Sequence, residues 1–146
     1  MTTYNVRVGR SDKAEGPFID YFGKELKDTT NNFPILTAPY RFKNHPGWAG
    51  TAHCAVFTSD DGQYFMAHQG RLSPQNQMMD LHVRQVFFTK DGWPVVSPER
   101  YAGSNPREFS AEDLVGEWEI IRVQEPLYER QLEAGQILLS LIHISE

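Results

Sequence analysis

The 146-residue sequence is short of several things that would fix a function quickly. It has one cysteine, Cys54, which excludes an internal disulfide framework and any zinc-knuckle spacing. It has no apolar run long enough to cross a bilayer, and the opening MTTYNVRVGR lacks the apolar core of a signal peptide. We expect Met1 to lie inside a longer protein. No block of like charge occurs, and the formal net charge of -5 argues against electrostatic binding to nucleic acid or an anionic membrane. A Gly-rich phosphate loop, a Ser-centred elbow and a Cys-His nucleophile signature are likewise missing.

What is present is β patterning. Tyr4, Val6 and Val8 alternate with Asn5, Arg7 and Gly9, the period of a half-buried strand. A second strand is expected from Thr51 to Thr58, running into the hairpin signal SDDGQ around Asp61-Gly62. Tyr64 to Gln69 is its partner, Asp80 to Phe88 a third strand, and TKDGWPVV turns through Asp91-Gly92 into a short fourth. Antiparallel strands in sequence order form a meander, the unit of a propeller blade or an up-and-down barrel. VRVGRSDKAEGPF and VRQVFFTKDGWPV also share a Val-Arg strand, a charged turn and a close Gly and Pro. They read as a faint repeat of one outer hairpin.

After Tyr101 the texture changes. AGSNPREFS is a linker, Ser110 followed by acidic residues suits a short helix start, and the alternation at Trp118 and Ile120, less regular at Ile121 and Val123, opens a new β unit. The expected division is 1–103, 104–138 and 139–146. The last stretch, LSLIHISE, is the translation of CTGTCTCTTATACACATCTCCGAG, a transposase end adaptor used in sequencing libraries. We therefore read Leu139 to Glu146 as adaptor, exclude His143 from every site, and expect resequencing of the locus to show it.

Four histidines remain: His45, His53, His68 and His82. His45 (before Pro46) and His82 read as solvent-facing or edge groups, and His68 as a hydrogen-bonded strand histidine. His53, beside Cys54 in GWAGTAHCAVF, is either a core histidine or a group at the bottom of a cavity. No third ligand stands at useful spacing for a metal cluster. Asp12, Glu15, Asp60, Asp61 and Asp91 fall at turns, where carboxylates shape the backbone. Trp48, Trp93, Tyr40 and Tyr64 are either core or sugar-stacking platforms. The residues alone reach a β-rich, meander-built chain.

YNVRVGRSDKAEGPFID, GWAGTAHCAVF, GQYFMAHQGR and LHVRQVFFTKDGWPVVSPERYAG, in this order, resemble the last part of glycoside hydrolase family forty-three, and most closely its endo-α-1,5-L-arabinanases. The resemblance implies an all-β fold: the end of one blade plus the last blade of a five-bladed β-propeller over 1–103, then a linker and a truncated β-barrel domain over 104–138. It implies inverting hydrolysis of arabinan by three carboxylates. All three are expected upstream of Tyr4, so no residue here is assigned as catalytic, Asp12, Asp20 and Asp61 included.

By the same resemblance His53 matches a family histidine facing the central channel, where it helps hold a largely hydrated calcium ion. Cys54 departs from the small or polar residue usual there, and Trp48 is a weak substrate-binding candidate. The resemblance further implies arabinan or arabino-oligosaccharide as partner, and a full-length parent that is monomeric and secreted, periplasmic or at the cell surface. An exo-acting arabinofuranosidase or xylosidase and a non-catalytic carbohydrate-binding propeller remain as alternatives. The isolated chain is expected to be inactive.

Overall fold

The computed structural model describes residues 3–28, 31–74, 77–103, 108–123 and 136–140, the last as backbone. Its centre is an antiparallel sheet built from β3 (Trp48–Ala49), β4 (Ala55–Thr58), β5 (Tyr64–Leu72), β6 (Asp80–Phe88) and β7 (Pro94–Val96). The long β5 pairs on one side with β6 and on the other with two short strands. β4 covers its first half, Ala55 opposite Ala67, and β3 its second, Trp48 opposite Leu72. The run β4–β5–β6–β7 is the expected meander, and β6 occupies the expected residues 80–88. The strand expected from Thr51 begins at Ala55. Residues 51–54 bulge away, and a single hydrogen bond from Gln69 N to Ala52 O (3.1 Å) holds the gap closed.

The hairpin turns show why these sequences reverse direction. At Ser59–Gln63 and at Thr89–Trp93 the first residue's N–H donates to the last residue's carbonyl, 2.9 Å in each, and the glycine's N–H returns to the first carbonyl. Gly62 and Gly92 take φ of 83° and 80°, a conformation that L side chains resist. Asp61 and Asp91 accept from the Ser59 and Thr89 hydroxyls, so both are turn formers as expected.

Ahead of the sheet, β1 (Val6–Arg7) pairs with β2 (Ile35–Thr37), and Arg10 exchanges backbone hydrogen bonds with Ile19. Val6 and Leu36 close a small apolar cluster with Met66, Val86 and Val96. Strand register puts Met66, His68, His82, Arg84 and Val86 on this covered face. The opposite face carries Phe57, Leu81, Phe87 and Val95, all 45% exposed or more.

The expected new β unit is a separate ribbon of β8 (Gly116–Ile120) and β9 (Gln136–Ser140), preceded by one helical turn at Glu112–Leu114. Ser110 does not cap that turn. Instead Asp113 accepts from the Ser110 N–H and hydroxyl. Leu139 and Ser140, read as adaptor, continue β9 opposite Glu117 and Gly116, a pairing open to any apolar stretch. Residues 104–107, 124–135 and 141–146 lie outside the described residues.

Candidate functional site

His53 sits where the β3–β4 line is broken. Gly50 (φ 61°) and His53 (φ 56°) are both left-handed. For a histidine that geometry costs about 1 kcal/mol or more, and it turns the ring off the sheet into solvent. The imidazole is exposed, beside a shallow cavity of about 420 Å³ walled by Tyr4, Asn5, Arg7, Ala52 and Cys54. Cys54 is a free, exposed thiol despite the apolar run it stands in. The break in the strand explains this, because residues 53–54 lie outside the β4–β5 pairing.

These residues do not make a calcium site by themselves. Calcium selects six to eight oxygen ligands, whereas His53 offers one nitrogen. The Asn5 side-chain oxygen is occupied by Arg7 Nε at 3.1 Å. Among the described residues no three His, Cys, Asp or Glu side chains converge.

The polar groups the structure does bring together lie inside, under the covered face. His68 and His82 are direct cross-strand partners with ring centroids 5.1 Å apart, 2% and 0% exposed. His68 Nδ1 is 2.7 Å from the Gln69 carbonyl. His68 Nε2 and both His82 nitrogens have no partner among the described residues. Burial, aided by the Arg84 cation, pushes His68 down to about 4. Burial, then His68, Arg84 and Arg100, push His82 down to about 3. Both rings are therefore neutral at pH 7.

Arg84, also buried, donates to the Tyr40 hydroxyl at 3.0 Å and lies 4.9 Å from the Tyr40 ring centre. Burial raises the Tyr40 phenol to about 12 against the opposing pull of Arg84. Thr37 donates to the Thr51 carbonyl and ties β2 to the bulge.

His82 is thus a core group, not the edge group its strand suggested. Trp48 is no open platform either: it is 7% exposed, His82 meets its edge at 4.5 Å, and His45 and Arg100 approach its ring. His68 fits its reading as a strand histidine bonded through Nδ1. The sequence showed that His82, Arg84 and Val86 share one side of β6, but not that this side is the buried one.

Three aspartates at turns are held below the ordinary carboxylate range. Burial works to raise Asp20, but the Lys24, Phe33 and Phe22 N–H groups and the Asn32 amide outweigh it and hold its pKa below the ordinary value. The Ser59 hydroxyl and Gln63 lower Asp61, and the Thr89 hydroxyl lowers Asp91.

No family model matches the chain. Among curated relatives it is 28% identical to an extracellular endo-α-(1→5)-L-arabinanase 2 of Bacillus subtilis (82% of this chain, 29% of the relative). It is 27% identical to an extracellular endo-α-(1→5)-L-arabinanase of Thermotoga petrophila (94% and 32%). An extracellular exo-α-(1→5)-L-arabinofuranosidase of Cellvibrio japonicus is 26% identical over 65% of this chain and 25% of its own.

Among solved structures, the Thermotoga petrophila endo-1,5-α-L-arabinanase superposes with a TM-score of 0.82 at 23% identity (92% of this chain, 33% of that one). A glycoside hydrolase family 43 protein, YxiA of Bacillus licheniformis, gives 0.81 at 25% (92% and 34%). The chain spans about a third of the length of the curated relatives it matches. The chain is thus similar to about one third of the length of endo-α-1,5-L-arabinanases and of a glycoside hydrolase of family 43.

Proposed function

We propose that this chain is part of a secreted glycoside hydrolase that cuts internal α-1,5-L-arabinofuranosidic bonds of arabinan with inversion. One observation carries the reading. The endo-acting relatives align over 82% and 94% of the chain, whereas the exo-acting relative aligns over 65%. The match therefore extends over more of the chain in the endo enzymes. The meander of β4 to β7 supports a place as one blade of a propeller, with β4 at its inner edge. The relatives' extracellular names support secretion.

Inversion needs a carboxylic acid and a carboxylate base on opposite sides of the scissile bond. Asp20, Asp61 and Asp91 are held ionised, which unsuits them as the acid, and their oxygens are committed to hydrogen bonds within their own turns, so the pair is sought outside this chain. His53, exposed on its strained bulge, is the residue we put nearest that chemistry. As a single nitrogen it would join a calcium ion only alongside oxygen donors from elsewhere, where the metal's charge would favour ionised carboxylates.

The test is expression of this reading frame together with its genomic flanks, assayed on debranched arabinan. Release of mixed oligosaccharides, with the inverted anomer in early NMR spectra, is expected. The 146-residue chain alone should release none. Release of single arabinose units from chain ends, or no release by the extended protein, would overturn the reading.

A further inference from the structure

A second cavity shares no residue with the one beside His53. It is a crevice of about 650 Å³ between the first hairpin and the Thr89–Trp93 turn, lined by Arg10, Asp12, Lys13, Asp20, Tyr21 and Trp93 among others. Sheet order places the two cavities at opposite edges, since His53 adjoins β4 and Trp93 leads into β7. Three strand spacings of about 4.8 Å put them on the order of 14 Å apart.

Its wall is built from an unusual turn. Asp20–Lys24 repeats the hydrogen-bond scheme of the two hairpin turns: Asp20 N–H to the Lys24 carbonyl at 2.8 Å, Gly23 N–H to the Asp20 carbonyl at 3.1 Å, Gly23 at φ 81°. In those turns the two tip residues are Asp60-Asp61 and Lys90-Asp91, as a solvated tip requires. Here they are Tyr21 and Phe22, 53% and 65% exposed.

The aromatic tip is rigidly held. Tyr21 meets Trp93 edge-on at 5.6 Å and Phe22 at 5.3 Å, while Phe22 meets Phe33 at 5.6 Å. The Asp20 carboxylate fixes the turn beneath, accepting from the Phe22 and Lys24 N–H groups at 2.9 and 2.8 Å. On the other wall Arg10 lies 3.9 Å over the Trp93 ring and donates to the Asp91 carbonyl at 2.8 Å. Asp12 and Lys13 stand exposed at the rim.

A fixed, half-open phenol ring beside paired charges of opposite sign suits a neutral, hydroxyl-rich ligand. The ring offers an apolar face with a polar handle, and Asp12 and Lys13 offer an acceptor and a donor. An anionic ligand would find only Lys13 uncommitted, with Asp12 beside it. The volume lies within the range of small-ligand sites.

We propose that this crevice is a secondary saccharide-binding site, taking a short α-1,5-arabino-oligosaccharide with one sugar on Tyr21. The proposal rests on the arabinan reading above. A second contact on a polymeric substrate raises its effective concentration at the other site.

The test is titration of the ¹⁵N-labelled 146-residue chain with arabinotriose, and separately with xylotriose, followed by amide and indole shifts. Arabinotriose should move Arg10 to Lys13, Tyr21, Gly23 and the Trp93 indole. Tyr21→Ala should weaken binding about tenfold, and Asp12→Ala, at an exposed position that leaves the turn intact, several-fold. Phe87→Ser, on the far sheet face, should leave it unchanged. Shifts confined to residues around His53 would overturn the proposal and leave the arabinan reading standing. Crevice shifts with xylotriose alone would overturn both. If neither sugar moves the crevice, the proposal fails, and the arabinan reading is decided by the hydrolysis assay.

Discussion

Acid should destabilise this protein from about pH 6.5 downward, through its buried histidines. In the unfolded chain a histidine protonates near 6.5, whereas buried His68 holds off until about 4. The folded form therefore binds fewer protons between those values, and its stability falls as pH drops through that window. At about 1.4 kcal/mol per pH unit, the interval corresponds to about 3 kcal/mol for His68. His82, pushed down to about 3, adds to this. Its ring faces His68 across the strand pair, so one proton raises the cost of the second, and only one is counted in full. Arg84, two residues along the same face, already places a cation there.

A loss of that size is a large share of a small domain's margin. Asp20, Asp61 and Asp91 have lowered pKa values, so their contributions stay intact above 3.8 and disappear only below it. Urea unfolding followed by near-UV circular dichroism from pH 8 to 4.5 isolates the histidines. The midpoint should hold steady down to about pH 6.5 and then fall. His68→Gln should flatten the fall, and His82→Asn is the companion variant should the first not fold. A midpoint flat from pH 7 to 5, or an NMR titration of His68 centred near 6.5, would refute the reasoning.

Three further outcomes follow from single contacts. His53→Gly removes a side chain from a left-handed position and should stabilise the chain by about 1 kcal/mol in urea titrations; destabilisation would mean that the exposed imidazole has a partner. At Gly70 an added Cβ would lie 2.5 Å from His82 Nε2. Gly70→Ala should therefore cost about 1–3 kcal/mol, and pairing it with His82→Ala should recover part of the loss in a double-mutant cycle. Tyr40→Phe strips a buried acceptor from Arg84 and should cost about 1–3 kcal/mol, with Arg84→Met in the same background restoring some of it.

The strands were readable in the sequence wherever turn chemistry marked their ends. The glycines at 62 and 92 fix two left-handed corners, and the segment between them must run out and back, so β5 and β6 follow from local rules alone. The third corner, DYFGK, has the same glycine spacing, but aromatic tip residues hid it behind the expectation that turns are polar. Faces were harder than strands. On β6 the apolar residues Leu81, Val83 and Phe87 alternate with His82, Arg84 and Val86, and hydrophobicity alone assigns the first set to the core. The structure buries the second set, because Leu36, Tyr40 and Trp48 pack against it, whereas the first set's face is covered only in part, where Tyr101 meets Phe65 beside half-buried Val83. Burial depends on which partner arrives, and a period-two pattern carries no information about that. His53 stayed ambiguous for a related reason, since the bulge comes from how β5 is shared between two short strands, a long-range fact.

The sheet therefore has an inverted character that bears on both proposals. Its covered face is half polar, with two neutral imidazoles and an arginine where aliphatic side chains would be more stabilising. Its open face carries Phe57, Leu81, Phe87 and Val95, each worth about 1.5–3 kcal/mol if fully buried. Unsatisfied polar groups are tolerated inside a protein only where the surrounding packing is secure. The open apolar face is where further packing energy remains available, and exposed patches of this kind mark contact surfaces. A neighbouring blade laid on it, as the propeller reading requires, would offset the strain at His53 and the cost of the buried cluster together. The aromatic tip at Tyr21-Phe22 is a different case. It lies at the β7 edge beside an open crevice, held by its own turn and by Trp93, and it needs no neighbouring blade to fix its geometry. Its geometry is for that reason a property of the turn itself, whereas the exposure of Leu81 reflects what lies over the sheet.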